Sequence, residues 1–483
     1  MTDRQKVAHL YRRLGFGATV GEIDAAEKAG VDATIAKLVQ YEALPELPVS
    51  PHEFVWREKE EADLGSYRYR NWWILQMLQS PRPLQEKLAI FWHDHFAVAD
   101  NKVEFGPMML DYLQTLRKHA GGKFETLLGS VARDPAMMKY LDMTRAVKGH
   151  PNENFAREVM ELFTLGIGNY SEKDVQDAAR ALTGWGYFNA FWEMPGDSTA
   201  KMKDSIKYDR PFSAFMYMPA MRDSGPKTVL GKTADHDGDS LIKLLATHPK
   251  TAEHLAHKLW EYFAYPDPDP AVVDRIAGAF RKSGGDIQKT LLAIVKSKEF
   301  FSEKAQRAIV KSPVDYIVPL LRQTETGEWL MSLRKADASV ETPIPQKIMD
   351  VTGGVTYFMD REGMSLLNPP DVSGWKWGTG WISSQNMIER INFAGVVVWG
   401  EDGKYCKKVH EYVKAKAPSD ATAAARLVCA FFDAEVPEES IVLIGKAMDA
   451  NNKVDFVGNF DWFRGAMHRG MRLLVGAPQF HMM

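Results

Sequence analysis

Apolar residues recur every three to four positions along most of this chain, and glycine and proline cut the pattern into segments. That spacing gathers apolar side chains on one face of a helix. The strict alternation of a half-buried strand is scarce. The reading is therefore a mainly all-α protein: one large multi-helix domain over 1–483, with a looser helical part at 400–483. Among the expected helices are 3–15, 52–80 (ended by Pro81 and Pro83), 83–98, 105–119, 153–166, 172–183, 249–263, 311–323, 382–398 and 459–475. Two segments break the pattern. The stretch 184–233, rich in aromatics, Gly, Pro and Asp, is expected to be a long ordered loop or to carry a short β-hairpin near 187–233. The other is 361–381. Long loops inside a compact body often carry function.

Composition removes several classes. Lys and Arg total 60 against 63 Asp and Glu, a net charge of −3. That balance argues against nucleic acid as a partner, which needs a basic surface. No run of ~20 apolar residues could span a membrane. Cys406 and Cys429 are too few for a disulfide scaffold and read as core thiols. Residues 1–6 lack the apolar stretch of a signal peptide; the expected location is cytoplasmic, or outside the cell if a leader has been removed. There is no phosphate-binding loop of the Walker type and no Gly-x-Ser-x-Gly elbow.

The polar residues that ought to be buried are the informative ones. Segment 83–97 is apolar on nearly every side, yet it carries Glu86 and His93 seven residues apart, on one face. Buried, they need hydrogen-bond partners or a metal; His95 faces the opposite way. In 151–168, Phe155, Val159, Leu162 and Phe163 form an apolar stripe flanked by Asn154, Glu158 and Glu161. Glu158 borders the stripe, so burial and the neighbouring like charge should raise the pKa of one carboxylate. Glu153 and Arg157 read as a solvated flank, with Arg157 pairing to Glu153 and Glu161. Arg180, late in 172–183, could reach Glu158 or Glu161. His254 and His257 could share a metal, although their neighbours suggest packing. Trp185, Trp375, Trp377 and Trp381 lie in irregular segments, where tryptophan either stacks on flat faces such as sugar rings or plugs a small core.

These segments together resemble the large bacterial domain-of-unknown-function family 1800. The resemblance rests on His9-Leu-Tyr-Arg-Arg-Leu-Gly-Phe-Gly-Ala18, Phe91-Trp-His-Asp-His-Phe96, Asp134-Pro-Ala-Met137 with Tyr140-Leu-Asp142, and Pro151-Asn-Glu-Asn-Phe-Ala-Arg-Glu158. It continues through Glu161-Leu-Phe-Thr-Leu-Gly166, Ala179-Arg-Ala-Leu-Thr-Gly-Trp185, Lys227-Thr-Val-Leu-Gly231, Pro369-Pro-Asp-Val-Ser-Gly-Trp375 and Ala477-Pro-Gln-Phe480. It implies a single helical domain of about this length and no defined activity. Relatives are often exported and occur beside a partner family resembling alkaline phosphatases and sulfatases. Where relatives tend to have His-Asp before the Lys-Thr-x-Leu-Gly motif, this chain has Arg222-Asp223.

Two functions are expected from different classes. In the first, Glu86, His93, Asn154, Glu158, Glu161 and Arg180 surround a pocket that hydrolyses a polar polymer such as a polysaccharide. Glu158 or Glu161 is then acid, base or ligand, His93 a ligand or base, and Arg180 an anion clamp. Trp185 and Trp375 line the entrance. A divalent metal on Glu86, His93 and Glu158 is one route; a carboxylate pair without metal is the other. In the second, the polar cluster is structural, and the tryptophan loops bind glycan or a protein partner.

Overall fold

Helix starts in this chain are written in side chains that can accept from backbone N–H groups. Thr2, Thr19 and Ser171 each close a capping box, with Gln5, Glu22 and Asp174 returning the bond. Ser383 and Asn459 cap two helices near the C-terminus. The computed structural model describes residues 1–57, 61–143, 146–208, 210–449 and 456–483. The helices that matter for the site are α1 (Asp3–Arg13), α2 (Ser66–Gln79), α3 (Pro83–His95), α4 (Gly106–His119), α5 (Glu153–Met160), α6 (Glu172–Ala181), α7 (Ser198–Tyr208), α8 (Pro249–Phe263), α9 (Pro313–Gln323), α10 (Gln346–Arg361), α11 (Ser384–Trp399) and α12 (Phe460–Gly476).

The protein is mainly α-helical, as the periodicity requires. Strands among the described residues form two small antiparallel pairs. β1 (Trp185–Asn189) runs against β2 (Ser213–Tyr217), with Trp185 opposite Tyr217; β3 (Lys227–Val229) runs against β4 (Lys232–Ala234). The expected hairpin region thus holds two sheets, and α7 crosses between β1 and β2. The expected helix over 52–80 is shorter: Pro51–Phe54 is a 3-10 turn, Trp56 bridges Ala62, and helix begins only after Gly65.

Every residue of α3 is buried. It lies at the centre, between α2, α4 and α8, among the fully buried Trp72, Trp73, Trp92 and Trp260. The chain ends meet at one side. Ile309 and Met483 exchange backbone hydrogen bonds (2.8 and 3.3 Å), Arg12 of α1 pairs with Asp433, and α12 packs along α11. Among the described residues no helix is long and apolar enough to cross a membrane.

Candidate functional site

The charges on α3 are distributed to different neighbours. Glu86 is fully buried and accepts from Arg117 of α4 (Nη2 2.8 Å, Nε 3.0 and 3.1 Å) and from Trp73 Nε1 (2.9 Å). It is a closed ion pair. His93 meets aromatic rings instead: it stacks on Trp73 at 6.0 Å and contacts Tyr112 and Trp375 at 5.8 and 5.1 Å. Both its ring nitrogens lack hydrogen-bond partners among the described residues, and burial pushes its pKa down to about 4. A neutral imidazole is what such a site demands. Glu86 and His93 therefore share a face and the Trp73 indole, which donates to one and stacks on the other, but they do not converge on one polar site.

Arg180 does not approach Glu158 or Glu161. Asp177 (2.9 Å) and Asp223 (3.0 Å) take its guanidinium, so the Asp of the altered Arg222-Asp223 pair anchors α6, while Arg222 pairs with Asp235 (2.7 Å). Arg157 bonds Glu172 through both oxygens (2.7 Å each) rather than Glu153 or Glu161. Asn154 is exposed. Glu158 is half-buried, and burial together with Glu161 raises its carboxyl pKa, as its place beside the apolar stripe predicts. Trp185 is buried rather than at an entrance. Its ring lies under Arg133 (4.8 Å) and so close to Gly238 that a Cβ there would sit 2.1 Å from the indole.

The segment after α5 is reached by a different histidine. A π-helical turn, Glu161–Leu165, continues α5. Two imidazoles reach carbonyls of this turn: His95 Nε2 on Phe163 O (3.1 Å) and His254 Nε2 on Leu162 O (3.3 Å). Donation from Nε2 makes His95 Nδ1 an acceptor, and Lys258 Nζ donates to it at 3.1 Å. Burial holds His95 well below the usual imidazole range and His254 at about 4, so both stay neutral. His254 and His257 do not converge, since His257 faces Glu261 at 3.3 Å. Among the described residues no three His, Cys, Asp or Glu side chains group as metal ligands would.

Lys258 opens onto a cleft of about 680 Å³, a size suited to a small organic ligand. Its walls include Asp94, Lys258, Glu261, Tyr262 and Trp377, with Ile309 and Val310 opposite. Asp94, the penultimate residue of α3, holds the loop 369–377: its Oδ1 accepts from Trp375 N (2.7 Å) and its Oδ2 from Trp377 Nε1 (2.9 Å). Burial nevertheless pushes the Asp94 carboxyl up, against the pull of Lys258. Glu261 goes the other way, held down by the bond from His257, the Asp267 amide and the Lys258 charge. Burial lowers the Lys258 ammonium, partly offset by Asp94 and Glu261. The tryptophans divide the two expected roles. Trp375 and Trp381 are buried plugs, while Trp377 is 46% exposed, its ring perpendicular to Tyr262 at 5.2 Å.

Asp94, Lys258, Glu261 and Tyr262 are not among the site residues the sequence predicts: Asp94 appears there only within the 91–96 motif, between two histidines, and the neighbours of His254 and His257 suggest packing. The one available signal was the i, i+3 and i, i+4 run His254–His257–Lys258–Glu261 on one helix.

A family model described as "Protein of unknown function (DUF1800)" matches residues 9–482. No curated protein and no solved structure matches the chain.

Proposed function

This chain belongs to the DUF1800 family, and for it we propose a hydrolase that takes a polar polymer such as a polysaccharide in the Trp377 cleft. The observation that carries the reading is a pair of carboxyl groups on one cleft whose pKa values are pushed in opposite directions: Asp94 up, Glu261 down. Such a pair divides into acid and base. In this reading protonated Asp94 gives its proton to the leaving oxygen and ionised Glu261 activates water or attacks. The Lys258 ammonium, fixed by His95, balances the charge, and Trp377 offers an exposed face to a sugar ring. Carboxyl catalysis of this kind needs no metal.

The test is release of new reducing ends from a panel of polysaccharides. Glu261→Gln should lower kcat by about 10²–10⁴-fold while polymer binding persists. Activity should fall as pH rises through the Asp94 pKa and, on the acid side, as Glu261 protonates. Wild-type turnover in the Glu261→Gln enzyme would overturn the assignment. One feature favours a second reading, a non-catalytic glycan-binding cleft: both Asp94 oxygens already accept loop N–H groups. Binding with no product from any polymer of the panel would select it.

A further inference from the structure

The N-terminal signature, His9 to Ala18, plays no part in the cleft, yet it carries a cluster of buried cations. Arg12, at 7% exposure, donates Nη1 to Asp433, but its Nε finds no acceptor among the described residues. Arg13 is fully buried with one bond, Nη2 to Ala305 O (2.8 Å), and its Nε and Nη1 are unpaired among the described residues. Arg307 reaches the same Asp433 and stands 3.6 Å from Glu435. Lys311 is the outlier. Its Nζ lies over the Phe480 ring at 4.6 Å and makes no hydrogen bond or ion pair among the described residues. The nearby Asp315 is already claimed by Lys87.

Arg12, Arg307, Lys311, Asp433 and Phe480 line a cavity of about 20 Å³, closed by Gly15–Gly17. That is room for one water-sized particle. Around it Asp433 and, outside the lining, Glu435 answer Arg12 and Arg307, and the lining Asp315 is taken by Lys87, so Lys311 is the cation left without a counter-charge among the described residues. Unpaired buried charge is costly, and an occupant that restores the balance is favoured. A water would satisfy donors without supplying charge. A dianion such as sulfate would carry more charge than the single cation left uncompensated.

We infer that this cavity binds a single halide-sized monovalent anion, chloride in solution, between the Lys311 ammonium and the Arg12 and Arg307 guanidiniums, joining the N-terminal signature to the C-terminal Ala477–Phe480 segment. Burial, and then the neighbouring cations, push the Lys311 pKa down to about 7 and that of Arg307 to about 10, the response of a buried cationic site short of counter-charge.

The full chain, exchanged into sodium gluconate, is titrated with sodium chloride at constant ionic strength. Saturable binding should raise Tm by about 2–3 °C at a hundredfold excess over Kd, and ³⁵Cl line broadening should be displaced by bromide. Sodium sulfate should give no saturable rise. Crystals grown in bromide should show an anomalous peak within hydrogen-bond reach of Lys311 Nζ. Lys311→Met should lose the saturable rise. A chloride response unchanged in Lys311→Met, a sulfate response equal to that of chloride, or a cavity without a bromide peak would each overturn the assignment. The bromide peak is read on the wild-type chain and does not depend on the variant folding.

Discussion

Glu86 illustrates what burial does to a charge in this molecule. It could enter the interior because α4 delivers Arg117 and α2 delivers the Trp73 indole to the same point. Removing one partner strands the other in a medium that solvates it poorly. Glu86→Gln should therefore cost about 3–5 kcal/mol of stability in urea unfolding; a loss below ~1 kcal/mol would show that Arg117 is solvated. A second residue-scale prediction concerns Asp111 and Asp134. Burial lifts both carboxyls to about 7, with Asp134 adding to the shift of Asp111. The folded state thus binds protons more tightly than the unfolded chain, whose carboxyls titrate near 4. Their contribution to stability is complete below about pH 4 and is lost as pH rises through about 7. Asp111→Asn should flatten this decline between pH 4 and 7, read as the wild-type-minus-variant difference in unfolding free energy. An unchanged slope would contradict it. At this scale the sequence was half legible. Burial of Glu86, His93 and Glu158 follows from helical position alone. Their partners do not, because Arg117, Trp73 and Tyr112 belong to helices whose approach only the tertiary packing fixes.

The loop Pro369–Trp375 is the element that turns α3 into a cleft wall. It can lie against the end of α3 only because residue 374 has no side chain. Gly374 has φ +91°, and a Cβ there would fall 2.3 Å from Asp94 Oδ1 and 2.6 Å from its carbonyl oxygen. Gly374→Ala should cost roughly 2 kcal/mol or more and pull Trp377 off Asp94, seen as a lower Tm with a red-shifted tryptophan emission. Wild-type emission and stability in that variant would show the loop to be held by other contacts. Elements were the most readable level of the sequence. α3, α4, α8 and α9 follow from apolar period, and each carries a proline in its first turn. α10 escaped, since Gly353-Gly354 and its β-branched residues speak against helix, and burial of Ile348, Val351, Thr352 and Val355 overrides them. The π turn after α5 has no periodic signature at all, yet it presents the carbonyls that orient His95 and His254.

For the whole molecule, the central helix α3 shares out its polar residues. Glu86 ties it to α4, His93 fills an aromatic box, His95 reaches the π turn, and Asp94 alone faces the cleft. These groups do not form one buried cluster, because a helix buried on all sides must satisfy each polar group locally in its own direction. The proposed site lies instead where α3, α8 and the 369–379 loop leave a gap, with an exposed indole at its edge. The measurement that tests this most directly is calorimetric titration of the wild-type chain and of Trp377→Ala with oligosaccharides of the polymer panel. The account predicts binding by the wild type, weakened about tenfold or more in Trp377→Ala, a loss of about 1.4 kcal/mol, in a variant that still unfolds cooperatively although Asp94 loses its indole donor. Oligosaccharide affinity equal in the two proteins, or absent from the wild type for every member of the panel, would contradict it.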